Sequence, residues 1–114
     1  MKRALILLAL TAGSAIAAPP ENADPALAPW FRSLNQPGTG YNCCSMADCR
    51  PVRTRDRNGK IEAFIARETF RDGTDQWVIV PEEVIIRGIE NPVGEPVLCY
   101  LGGMVRCFVQ GAQG

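Results

Sequence analysis

Alternation of apolar and polar positions is clearest in the middle of the chain. Val52, Thr54 and Asp56 fall on one face of an extended segment, and Arg53, Arg55 and Arg57 on the other. A following segment places Ile61, Ala63 and Ile65 on one face and Glu62, Phe64 and Ala66 on the other. Asn58-Gly59 separates them, a pair suited to a two-residue turn in which both positions need a left-handed backbone. The pattern predicts a hairpin with arms 51–57 and 60–67. Gln76-Trp77-Val78-Ile79-Val80 reads as a short apolar strand, and residues 97–101 and 104–109 read as a closing hairpin around Gly102-Gly103. Helical periodicity is brief. Trp30, Phe31 and Leu34 share a face after Pro29, which predicts a short helix with its aromatics packed on a core. Pro81-Glu82-Glu83 opens a helical turn, its acids at the positive end of the dipole, and Gly88 stops it. Ser45-x-x-Asp48 marks one more turn over 46–49, ended by Pro51. These elements predict a small β-rich α+β domain of short antiparallel strands and hairpins with one or two short helices.

The N-terminus changes the setting. Lys2 and Arg3 precede an apolar run over 4–12, and Ala15-Ile16-Ala17 follows as a cleavage pattern. Residues 1–17 therefore read as a signal peptide, since the run is short of the roughly 20 apolar residues that span a bilayer. Residues 18–29, rich in Pro and Ala, read as a flexible leader. A single disulfide-linked domain is expected over 30–110, with a frayed tail at 111–114. The expected location is periplasmic or secreted, with no membrane span after cleavage. Of the 12 basic and 12 acidic residues, Lys2 and Arg3 would leave with the signal, so the mature chain is close to neutral. Such a balance gives no argument for a nucleic-acid partner.

Five cysteines, Cys43, Cys44, Cys49, Cys99 and Cys107, would be oxidised in that compartment. An odd number predicts two bridges and one spare thiol, and the sequence leaves the pairing open. A Cys43–Cys44 bridge is geometrically poor. A bridge from the Cys43–Cys49 cluster to Cys99 or Cys107 would close a loop of about 50–60 residues, worth about 4 kcal/mol in the chain-entropy account. At least one such bridge is expected, with the spare thiol in the vicinal pair, where it also offers a route to a linked dimer. In the last hairpin, a two-residue Gly-Gly loop would set Cys99 opposite Arg106. A three-residue loop would set it opposite Cys107.

The run W-F-x-S-L-x-x-P-x-T-G, then C-C-S-x-x-D-C-R-P-V, W-x-x-V-P, N-P-x-G and a late C…C-F-V resembles a group of small exported proteobacterial proteins with five cysteines. The resemblance runs from about Trp30 to Val109. It implies an exported, cysteine-linked domain and carries over no catalytic residue. One departure is the end of the chain, where the proline-rich tail common in that group is replaced by Val109-Gln-Gly-Ala-Gln-Gly114.

Chemistry narrows next. The chain has no histidine, which removes the commonest general base and the Ser-His and Cys-His arrangements. Past the signal, Ser33 and Ser45 are the serines and Lys60 is the lysine. A two-carboxylate hydrolase acting on wall polymer is an open alternative, needing a cleft that a small domain rarely builds. A second alternative is a soft metal, Cu(I) or Zn, at Cys43, Cys44, Met46 and Cys49, though the spacing is not that of a zinc ribbon. No C-x-x-C redox motif is present. The best binding candidate is the arginine group Arg50, Arg53, Arg55 and Arg57, which could fork onto phosphates or carboxylates of an anionic envelope polymer. Against it stands a plain solvated strand face, charged to guard a sheet edge and paired with acids such as Glu62. The expectation is an exported, non-enzymatic structural or binding protein of the envelope, with no cofactor.

Overall fold

Two hairpins seed two sheets in the computed structural model, which describes residues 24–112. The expected signal peptide and residues 18–23 of the expected leader lie outside the described residues. The elements are α1 (Ala28–Ser33), α2 (Cys43–Met46), β1 (Asp48–Pro51), β2 (Thr54–Arg57), β3 (Lys60–Ile65), β4 (Gln76–Ile79), β5 (Val97–Leu101) and β6 (Met104–Val109). Single 3-10 turns occur at Pro25–Leu27 and Glu82–Val84. The domain is α+β and β-rich, its strands antiparallel in two three-stranded sheets. The inner sheet has the order β1-β5-β6 and the outer sheet β2-β3-β4.

The inner sheet is covered on both faces. Val97, Cys99, Cys107 and Val109 pack with Phe31 and Leu34, from α1 and the residue after it, and with Cys43 of α2. Leu98, Tyr100 and Phe108 point the other way, into a second cluster with Ala63, Ile65, Phe70, Val80, Val84 and Ile85. Strand β5 therefore reads as an apolar run, V-L-C-Y-L, rather than as an alternation. The outer sheet uses one face only. Ile61, Ala63, Ile65 and Val78 meet the inner sheet, while Glu62, Phe64, Trp77 and Ile79 take the opposite face.

The hairpin turn at Asn58-Gly59 has φ of 54° and 76°, the left-handed pair the sequence requires. Its first arm is shorter than the expected 51–57. Residues 48–51 pair with β5, so Pro51 belongs to the inner sheet. The switch takes two residues: the Val52 amide donates to the Pro96 carbonyl, and the Arg53 carbonyl accepts from the Phe64 amide. Alternation alone cannot show such a switch, because the period continues through it.

The expected turn over 46–49 is displaced. Helix α2 starts at Cys43 because Asn42 is its cap, Oδ1 accepting from the Ser45 amide at 3.1 Å. Ala47 is extended and Asp48 enters β1, so Ser45 and Asp48 do not act as a capping pair. Helical structure also begins earlier than expected, at Pro25, since Asp24 Oδ1 caps the first 3-10 turn at 2.9 Å. At the other end the expected frayed tail is still hydrogen-bonded to the domain at Ala112, and its residues 113–114 lie outside the described residues. Asn91 Nδ2 donates to the Gln110 carbonyl at 2.9 Å, and the Ala112 amide donates to the Gly94 carbonyl at 2.9 Å.

In the closing hairpin the loop is Gly102-Gly103, yet Cys99 stands opposite Cys107. A register shift next to Cys99/Tyr100 explains it: Tyr100 pairs with Val105, and Arg106 is the extra residue. Arg106 accepts a hydrogen bond on its carbonyl from Gln36 Nε2 at 2.8 Å, and its buried Nε has no partner among the described residues. The hairpin tip is held from outside, where Asp72 Oδ2 accepts from the Gly102 amide at 2.9 Å. Gly73 follows because a Cβ there would collide with the backbone of Ala66 and Arg67.

Candidate functional site

Two places concentrate chemistry. The first is a sulfur cluster between α2 and the inner sheet. Cys43 of α2 is bonded to Cys107 of β6, and Cys49 of β1 to Cys99 of β5. Both bridges are long-range, with sequence separations of 64 and 50. Cys99 and Cys107 face one another without bridging, because each is bonded to the N-terminal segment. Cys44 carries the free thiol, half-buried. Its Sγ lies 3.1 Å from the Phe31 carbonyl oxygen and 3.1 Å from Cys49 Sγ. Burial pushes this thiol up to about 11, and the charge of Arg50 pulls it back only in part. Of the four soft donors considered for a metal, Cys43 and Cys49 are thus spent in bridges. A metal set would need them reduced first.

The second place is the outer face of the outer sheet. Alternation puts Arg55, Arg57, Lys60, Glu62, Phe64, Trp77 and Ile79 on it, and Arg53 reaches it from just before β2. Phe64 and Trp77 are directly opposed in β3 and β4, ring centroids 5.3 Å apart. Arg53 lies over both rings, at 5.5 and 5.8 Å, and Arg55 lies over Trp77 at 4.1 Å. Arg55 Nε also pairs with Glu62 Oε1 at 2.7 Å. The result is a ladder in which two guanidinium groups from the edge-strand side lie over a tilted pair of rings on the neighbouring strands. Four cations share the face with one acid. Ile79, 52% exposed, adds an apolar rung. Beyond Phe64 a groove of about 270 Å³ carries Glu68 and Glu95, which bounds the positive surface on that side.

Arg50 does not join this stripe. It belongs to β1 in the inner sheet, where its Nη1 donates to the Cys49 carbonyl at 3.2 Å and its charge acts on Cys44. The aromatic half of the ladder was not legible as a site. Phe64 on the polar side of its strand was the available signal, but its pairing with Trp77 depends on the β3–β4 register. Trp30 and Phe31 pack as an edge-to-face pair at 5.1 Å, Phe31 buried and the Trp30 indole N–H donating to the Glu90 carbonyl at 2.8 Å.

Carboxylates gather in one groove of about 560 Å³, where Asp56, Glu82 and Glu83 line the wall with Lys60 and Arg87. All three acids are exposed. A larger hollow of about 680 Å³ lies between residues 86–92 and 109–112, with Arg87 and Glu90 as its charged residues. No helix among the described residues is long and apolar enough to cross a membrane. Comparison with protein-family models, curated proteins and solved structures finds no match to this chain.

Proposed function

We propose that this is an exported, non-enzymatic binding domain of the bacterial envelope, related to the five-cysteine exported proteins it resembles, and that its ligand is an anionic polymer held on the outer sheet. The observation that carries the reading is the stacked ladder of Arg53 and Arg55 on Phe64 and Trp77. A guanidinium over a ring is held by the ring beneath while its edge can still donate to a ligand, here through the donors that Arg55 does not spend on Glu62. Preorganised forks lose less entropy when they grip phosphate or carboxylate. Arg57 and Lys60, exposed at the turn end of the same face, extend the row. The two long-range bridges suit an oxidising compartment. They also suit a rigid platform, because they stiffen the sheet that backs the ladder.

The hydrolase reading has less support. Its carboxylates are exposed, whereas a glycosidase acid usually sits in apolar surroundings.

Titration with long-chain inorganic polyphosphate, and in parallel with a polycarboxylate, tests the proposal by calorimetry. Binding should weaken steeply as salt rises. Arg57→Ala with Lys60→Ala should reduce affinity about tenfold or more at low salt, and Trp77→Ala should reduce it further by loosening Arg55. Undiminished binding in the double variant, or no salt dependence, would overturn it. Binding of one polymer only identifies whether phosphate or carboxylate is the preferred group.

A further inference from the structure

Three sulfurs in contact hold only one bond among them. Cys49 and Cys99 are bridged, and the Cys44 thiol lies 3.1 Å from Cys49 Sγ. We propose that Cys44, Cys49 and Cys99 form an internal thiol–disulfide exchange unit that moves the free thiol between Cys44 and Cys99. In the forward step Cys44 loses its proton to solvent. The thiolate attacks Cys49 Sγ, a Cys44–Cys49 bond forms, and the Cys49–Cys99 bond breaks. The electron pair leaves on Cys99, which takes up a proton. One disulfide and one thiol are present before and after, so no oxidant or reductant is consumed.

The fold keeps the reacting groups in place. Cys44 sits on α2, which is capped by Asn42 and tied to β6 by the neighbouring Cys43–Cys107 bridge. Cys49 is carried by β1, aligned against β5 by four opposed residue pairs. After exchange α2 and β1 share the new bridge, and Cys43–Cys107 still ties this segment to the inner sheet. The thiol has then moved from a half-buried position to Cys99, 1% exposed in the central strand. In reverse, Cys44 is the route by which solvent thiols and disulfides equilibrate with a core bridge they cannot touch. Cys49 is 2% exposed, so direct attack on it from solvent is blocked.

Burial gates the step. The Phe31 carbonyl accepts from the neutral thiol, and the Cys44 group titrates at about 11 despite the Arg50 charge from β1. Exchange is therefore slow at neutral pH and accelerates about tenfold per pH unit until the thiol ionises.

The test is peptide mapping of the oxidised full chain, incubated folded at neutral to alkaline pH for increasing times and quenched in acid. The quenched samples are then denatured in acidic guanidinium and their free thiols labelled with N-ethylmaleimide, because folded Cys99 is closed to the reagent. Cleavage before Asp48 and after Arg106 separates Cys44 from Cys49 and Cys99 from Cys107. The expected product has a Cys44–Cys49 link, a labelled Cys99 and an intact Cys43–Cys107 link, forming faster as pH rises. Label confined to Cys44, with Cys49–Cys99 intact at every pH, overturns the proposal. So does a statistical mixture that also scrambles Cys43–Cys107, since that is exchange through unfolding. Cys99→Ser gives a second reading: with oxidised glutathione it should close Cys44–Cys49. Separate glutathione adducts on Cys44 and Cys49 would overturn the proposal.

Discussion

The two sheets have the same size and opposite characters. The inner sheet is apolar on both faces, holds three of the four bridged cysteines with the fourth, Cys43, on the helix packed against it, and has its central strand enclosed. The outer sheet has no cysteine, buries one face, and stacks cations on aromatics on the other. The contrast teaches a division of labour within a small domain. Covalent and apolar stabilisation sits in one layer, which leaves the other layer's outer face available for recognition. A domain with little core to spare can carry such a charged surface when its stability does not depend on it.

That contrast can be broken from the inner side. Cys43→Ala with Cys107→Ala opens a link of sequence separation 64 and should lower stability by about 4 kcal/mol in urea denaturation. A loss below about 1 kcal/mol would show that packing alone holds α2 on the sheet. Next in size is a matched pair. Phe108→Ala, at a buried position between the sheets, should destabilise by about 3 kcal/mol or more. Phe64→Ala, on the outer face, should stay near 1 kcal/mol. Equal losses would abolish the distinction between the core layer and the open outer face.

A third effect separates the layers by pH. The Cys44 thiol ionises near 9 when unexposed to the fold and at about 11 within it. The unfolded chain therefore releases this proton first, and stability should fall as pH rises between those values, on the order of 1–2 kcal/mol. Cys44→Ser should remove the fall. A drop of equal size in both proteins would assign it elsewhere. Smallest is the Arg55–Glu62 pair. Its arginine side chain is 37% exposed, and a double-mutant cycle should give less than about 1 kcal/mol. A larger coupling would mean that the ladder is a structural element first.

Much of the fold was legible because its turns are local. Asn58-Gly59 and Gly102-Gly103 place both hairpins within a few residues, and Pro81-Glu82-Glu83 marks the start of a 3-10 turn that ends at Val84, short of the expected stop at Gly88. What escaped was non-local. Residues 48–51 are claimed by β5, some fifty positions away, so strand pairing outweighs the local capping pattern of Ser45 and Asp48. The extra residue at Arg106 has no sequence mark, because V-R-C keeps the alternation through the bulge. The arginine stripe was visible as alternation. Its aromatic partners became part of the site only when β4 aligned Trp77 with Phe64, and Arg50 was lost to the other sheet at the Val52–Arg53 switch.

The separations of 64 and 50 in the two bridges also impose an order in time. A chain emerging from its N-terminus presents Cys43, Cys44 and Cys49 together, well before either correct partner exists. Until Cys99 has emerged, the bonds available to the first three are among themselves. Correct pairing is then a repair as much as a formation. Cys107, the last cysteine to appear, decides when it can finish.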